Sequence, residues 1–132
     1  MVKKIRRQVS AGVTDKPKPL NIVFGFSQLQ EYSYTNAKND SAFFIDFLGR
    51  LKKFSGLDWN TVWTTNRHSF GSELISCTRL HPTARNLVPS EVDKLIVLRA
   101  KGDNHPFLGI REGNTFQVLF IEYQFGDIYN HG

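Results

Sequence analysis

A two-residue Gly-Asn step between matched apolar runs constrains this chain more than any other feature. Residues 107–112 read FLGIRE, Gly113 and Asn114 form a turn pair of hairpin type, and residues 115–123 read TFQVLFIEY. So short a connection makes the two runs antiparallel neighbours and sets their register. Counted outward from the turn, Glu112 opposes Thr115, Arg111 opposes Phe116, Gly109 opposes Val118 and Phe107 opposes Phe120. One face then carries Phe107, Gly109, Arg111, Phe116, Val118, Phe120 and Glu122. The other carries Leu108, Ile110, Glu112, Thr115, Gln117, Leu119 and Ile121. Both faces are largely apolar, which predicts a central hairpin covered on both sides. Arg111 and Glu122 are the polar exceptions, and a polar side chain inside such a sheet needs a partner or a task.

The rest of the chain supplies material to cover that sheet. Residues 94–100 (KLIVLRA) read as a strand joined to the hairpin by a turn over 101–106, which makes a three-strand meander. Residues 20–26 (LNIVFGF) have strand chemistry, and 28–34 read as its continuation after a break. Asn39 or Asp40 is suited to cap a helix over 41–54, with Phe44, Phe47, Leu48, Leu51 and Phe54 on one face and Gly56 as a left-handed stop. Asp58 is suited to cap a short second helix bearing Trp59, Val62 and Trp63 on one side, so the two helices form a hairpin. Residues 77–91, with Pro82 and Pro89, have no clear period and read as a long loop. Strand, helices, then a strand meander is an α+β arrangement: an antiparallel sheet with a helical hairpin packed on it.

Charge divides the chain differently. The net charge is +5, and residues 1–18 hold all of it: Lys3, Lys4, Arg6, Arg7, Lys16 and Lys18 against Asp15, while the remainder balances. Residues 1–19 therefore read as a basic arm of the kind that contacts RNA phosphates without reading sequence, followed by one domain over 20–132. The single cysteine, Cys77, excludes an internal disulfide and a cysteine-based zinc site, which suggests a reducing, cytoplasmic setting. No run has the roughly 18 apolar residues of a membrane span, so no membrane partner is expected.

Motifs for P-loop, dinucleotide, zinc-hydrolase and nucleophile-elbow chemistry are absent, and no metal or cofactor is expected. Two clusters remain. One is Asn66-Arg67-His68-Ser69 with Glu73 close behind; the other is Tyr129-Asn130-His131-Gly132 at the end. Cleaving RNA without a metal needs a base for the 2′-hydroxyl, an acid for the leaving oxygen and cations for the phosphate. His68, His131, Tyr129, Arg67 and Arg111 are side chains of those types, and Arg99 on the first meander strand adds a cation.

Residues 92–132 resemble the C-terminal part of a group of small bacterial proteins with a FLGxRxGNxFxVLFI hairpin and a terminal Tyr-x-His-Gly. The element order, with Tyr and His after a three-strand meander, is also similar to the RelE/ParE toxin superfamily. That resemblance implies a RelE-like sheet, an endoribonuclease acting on RNA, often on the ribosome, and a cognate antitoxin protein as partner. It matches Arg111, Tyr129 and His131 to the types of catalytic group such toxins use, with His68 as a further acid or base. From charge and residue type, RNA contacts are expected at Lys3, Lys4, Arg6, Arg7, Arg67 and Arg99. The competing expectation is a non-enzymatic protein-binding module of a phage, defence or scaffold system built on the same fold.

Overall fold

The computed structural model of the chain describes residues 20–35, 41–65, 71–101, 104–124 and 126–131. Their elements are β1 (Val23–Gly25), α1 (Tyr32–Thr35), α2 (Ser41–Phe54), α3 (Trp59–Thr64), β2 (Glu73–Ser76), a 3-10 turn (Cys77–Arg79), α4 (Pro82–Arg85), β3 (Lys94–Lys101), β4 (Asn104–Glu112) and β5 (Thr115–Ile121). The strands form one sheet in the order β1-β5-β4-β3-β2. Neighbours are antiparallel except β1, which runs parallel to β5 along the edge. The fold is α+β, and the expected meander is present as β3, β4 and β5. The basic arm, the candidate caps Asn39 and Asp40, and the Arg67–His68 cluster lie outside the described residues.

Local chemistry explains most boundaries. Asp58 caps α3 by accepting the Thr61 N–H at 2.8 Å, a bond that also holds its carboxyl below the usual range. Gly113 sits at φ 66 in the first central position of the β4–β5 turn, a conformation glycine adopts without strain. Gly56 is not a left-handed stop; the only described glycines at positive φ are Gly113 and Gly126. Helix α2 ends instead with Ser55 Oγ donating to the Leu51 carbonyl at 2.6 Å and the Gly56 N–H turning back to Lys53 O at 3.1 Å. The orphan carbonyls thus need no left-handed residue.

Helix α2 buries Phe43, Phe47, Leu51 and Phe54, so its stripe is rotated from the expected one. Phe44 is only partly buried, and Leu48 is 67% exposed. The reason is the narrow seam that α2 presents to the sheet, where Phe47 and Phe54 each meet the Phe107 ring edge-on, with centroids 5.1 and 6.1 Å apart. Trp59 and Val62 of α3 close the same core, while Trp63 remains 42% exposed.

The hairpin register agrees with expectation only near the turn. Glu112 opposes Thr115, Arg111 opposes Phe116 and Gly109 opposes Val118, but Leu108 opposes Phe120 and Phe107 opposes Ile121. Leu119 is therefore an extra residue, a β-bulge, and beyond it every β5 side chain changes face. Phe120 and Glu122 consequently lie on the face opposite Arg111 and Phe116. The bulge is held by the segment that follows β1: the Gln30 N–H donates to Leu119 O at 2.8 Å, and the Ile121 N–H donates to the buried Ser33 hydroxyl at 2.9 Å. Residues 28–34 thus cross the end of β5 as a turn and the short helix α1, not as a continued strand.

Close approach at the register shift makes Gly109 irreplaceable. A Cβ there would stand 2.0 Å from the Gln117 carbonyl oxygen, a backbone atom that cannot swing away. Gly109→Ala is expected to cost about 3 kcal/mol through forced strand separation, read as a lower urea midpoint with an unchanged denaturant slope.

The second face is covered by the stretch expected to be a loop. Cys77, Leu80, Ala84 and Val88, with Ile128 and Tyr129, pack on Ile75, Leu95, Val97, Leu108, Leu119 and Phe120. Leu80 and Tyr129 form an isolated antiparallel bridge, which ties this cover to the C-terminal segment. The irregular pattern of 77–91 arises because it lies flat on the sheet with a 3-10 turn and one turn of helix, neither long enough to show a period. The first meander turn is shorter than the six residues expected, since Lys101 pairs with Asn104.

Candidate functional site

Strand alternation places three charged residues at one end of this second face. In β3 the inward row reads Leu95, Val97, Arg99; Val97 opposes Glu73 of β2, and Arg99 opposes Pro106 of β4. The Glu122 N–H donates to Pro106 O at 2.9 Å, so Glu122 continues the same cross-strand line. The apolar sheet thus ends in a polar margin of Glu73, Arg99 and Glu122, and the C-terminal segment folds back over it.

Glu122 organises that return. Its side chain is wholly buried. One carboxylate oxygen accepts the Ile128 N–H at 2.8 Å and the Tyr129 N–H at 3.4 Å. The other accepts from His131 Nε2 at 2.6 Å. Because the acceptor is a carboxylate, Nε2 carries a proton, and Nδ1 is the second ring nitrogen. The His131 ring stacks on Tyr129 with centroids 3.9 Å apart and planes 24° from parallel. Arg79 braces the segment from the 3-10 turn, with Nε donating to Asn130 O at 2.9 Å and the guanidinium 5.5 Å from the Tyr129 ring centre.

Arg99 is the unusual member. It is 8% exposed, and its Nη2 donates to Glu73 Oε1 at 2.7 Å. Among the described residues its Nε and Nη1 have no hydrogen-bond partner. Two orphan donors on a buried cation are costly unless an acceptor fills the place at some stage of function. Nearby, burial pushes the Tyr129 phenol above its usual value, partly offset by the Arg99 guanidinium against its hydroxyl, through hydrogen bonding and then charge, so the phenol stays protonated at neutral pH. From α2 on the other face, Arg50 Nε donates to the Arg99 carbonyl at 3.2 Å and fixes the strand beneath the site.

Of the residues expected to form a site, Tyr129, His131 and Arg99 come together. Arg111 does not join them. It lies at the turn end of the sheet on the opposite face, exposed, with Nε donating to Gly113 O at 2.7 Å and its guanidinium 4.8 Å above the Trp59 ring. The expected register would have set Arg111 and Glu122 on one face, and the bulge at Leu119 separates them. His68 and Arg67 lie outside the described residues, as do Lys3, Lys4, Arg6 and Arg7. Sequence reading gave Glu73 no role of its own, and it took Glu122 only as a polar exception. The available signal was the end of each apolar alternation: Leu95-x-Val97-x-Arg99 and Phe120-x-Glu122.

Neither a family model nor a curated protein nor a solved structure matches this chain. Among the described residues no helix is long and apolar enough to cross a membrane.

Proposed function

We propose that this protein is a RelE-like toxin that cleaves RNA without a metal, using Glu73, Arg99 and His131, and that an antitoxin protein restrains it. The observation that carries this reading is the pair of donors on buried Arg99 without a partner among the described residues, beside the Glu73 carboxylate and next to Tyr129, on which His131 stacks. A phosphate offers the acceptors those donors lack. Cleavage then needs three acts. Glu73 takes the 2′-hydroxyl proton as the 2′-oxygen attacks phosphorus. Arg99 holds the charge that builds on the phosphoryl oxygens. His131 gives the Nδ1 proton to the departing 5′-oxygen, leaving a 2′,3′-cyclic phosphate. Glu122 orients the imidazole, and Tyr129 supports it by stacking. The order of strand, helices and three-strand meander ending in Tyr and His is also what the toxin resemblance implies. Expression of the protein alone is expected to slow bacterial growth, and His131→Ala to relieve the effect while the purified variant still melts cooperatively. Unchanged toxicity in a folded His131→Ala protein would remove the histidine from the mechanism.

One feature favours the protein-binding alternative, and equally the antitoxin. A groove of about 810 Å³ runs between β1 and α2, lined by Ile22, Val23, Phe24, Phe26, Ile45 and Leu48. Ile45 and Leu48 are 69% and 67% exposed at its rim. Leu48→Glu is expected to abolish capture of a co-expressed candidate antitoxin and to leave RNA cleavage intact. Loss of partner binding with no cleavage by wild type under any condition would favour the binding module.

A further inference from the structure

A second cavity, of about 510 Å³, opens beside the C-terminal segment, away from Arg99 and His131 in its lining. Its floor is apolar, built from Phe120, Ile128 and Ala84, all buried, and half-exposed Leu87 forms one wall. Its polar rim is one-sided. The Tyr32 hydroxyl donates to Asp127 Oδ2. His81 Nε2 donates to Gly126 O at 2.6 Å. Gln30 Nε2 donates to Gln28 O at 2.9 Å. Three side-chain donors are therefore spent within the protein. The carboxylates of Glu31 and Asp127 stand at the rim, Asp127 Oδ2 accepting from the Tyr32 hydroxyl and the Gln124 N–H, and among the described residues no lysine or arginine lines the cavity. An apolar floor under convergent acceptors is the form of a pocket that selects a ligand by its donors.

We infer that this cavity binds an organic cation, a guanidinium or ammonium carried on an apolar stem. The stem covers Phe120 and Ile128, and the head donates to Glu31 and Asp127. An anion meets two carboxylates there and is excluded, and a neutral apolar molecule gains nothing from the negative charge of the rim. The inference does not rest on the RNA-cleavage reading, since none of the lining residues belongs to that chemistry.

Calorimetric titration of the full-length protein tests it, with two cationic probes: agmatine, and the peptide acetyl-Gly-Arg-Gly-amide. The peptide with citrulline in place of arginine is the neutral control. Saturable one-site binding is expected for a cation, with the citrulline peptide at least about tenfold weaker. Glu31→Gln, at an exposed rim position, is expected to weaken binding about fivefold. Leu87→Arg places a competing guanidinium in the wall without touching the core and is expected to abolish binding. Tighter binding of the peptide identifies a protein side chain as the source; tighter binding of agmatine identifies a free amine. Equal affinity for the citrulline peptide, or no effect from either variant, overturns the inference, as does the absence of saturation by about 1 mM.

Discussion

Arg99→Met should abolish RNA cleavage while leaving the protein as stable as wild type or more so. The two effects come from the same atoms. Arg99 buries a guanidinium with two donors unpaired among the described residues, and a methionine of similar length removes that penalty. Its partner Glu73 retains 22% exposure, so it can turn to water and no buried carboxylate is stranded. Catalysis loses the donors that face the developing phosphoryl charge, and one such donor typically contributes about 100- to 1,000-fold. Cleavage rates and thermal melts on the same preparation check both halves. A folded Arg99→Met protein with lower stability and full activity would mark Arg99 as structural. Lost activity with maintained or raised stability is the signature of a residue kept for function at the expense of the fold.

Glu122→Ala should do the reverse and act first on stability, by about 3–5 kcal/mol. The carboxylate satisfies two backbone N–H groups and the His131 ring at a position with no access to water. Removing it strands all three donors, each costing about 1–3 kcal/mol when left unpaired in the interior. The C-terminal segment then loses its anchor, and Tyr129 and Ile128 lose their place over the sheet. Glu122→Gln keeps the shape and one acceptor oxygen, so a smaller loss is expected. Urea unfolding monitored by far-ultraviolet dichroism gives both numbers. Equal stability of wild type and Glu122→Ala would mean that the segment is held by Leu80 and Arg79 alone.

These two residues show what was and was not legible in the sequence. The Gly113-Asn114 turn fixed the β4–β5 pairing and the meander, because a two-residue loop leaves the strands little choice of partner. Helix α2 was legible from its Phe spacing, and α3 from Asp58. The bulge was not legible. Inserting Leu119 between two apolar neighbours leaves the hydrophobic pattern of TFQVLFI unbroken, because both faces of the sheet are buried and every residue from Val118 to Ile121 is apolar on either choice. With the bulge Glu122 and Arg111 lie on opposite faces of the sheet; without it they would share one. The C-terminal Tyr129 and His131 were recognisable as chemistry, but their partners Glu73 and Glu122 are set by register across four strands, which composition and local spacing do not encode. The cover formed by 77–91 was hidden for a different reason. It consists of single turns that show no period yet bury Cys77, Leu80, Ala84 and Val88.

The central claim is that Glu73, Arg99 and His131 cleave RNA through 2′-hydroxyl attack. End-group analysis of RNA incubated with the purified protein in a chelating buffer, with and without ribosomes, addresses it directly. The account predicts fragments ending in a 2′,3′-cyclic phosphate from wild type, and rates lower by about 100- to 10,000-fold from folded His131→Ala. Fragments carrying a 5′-phosphate and a 3′-hydroxyl, or no cleavage by wild type in either condition, would contradict it.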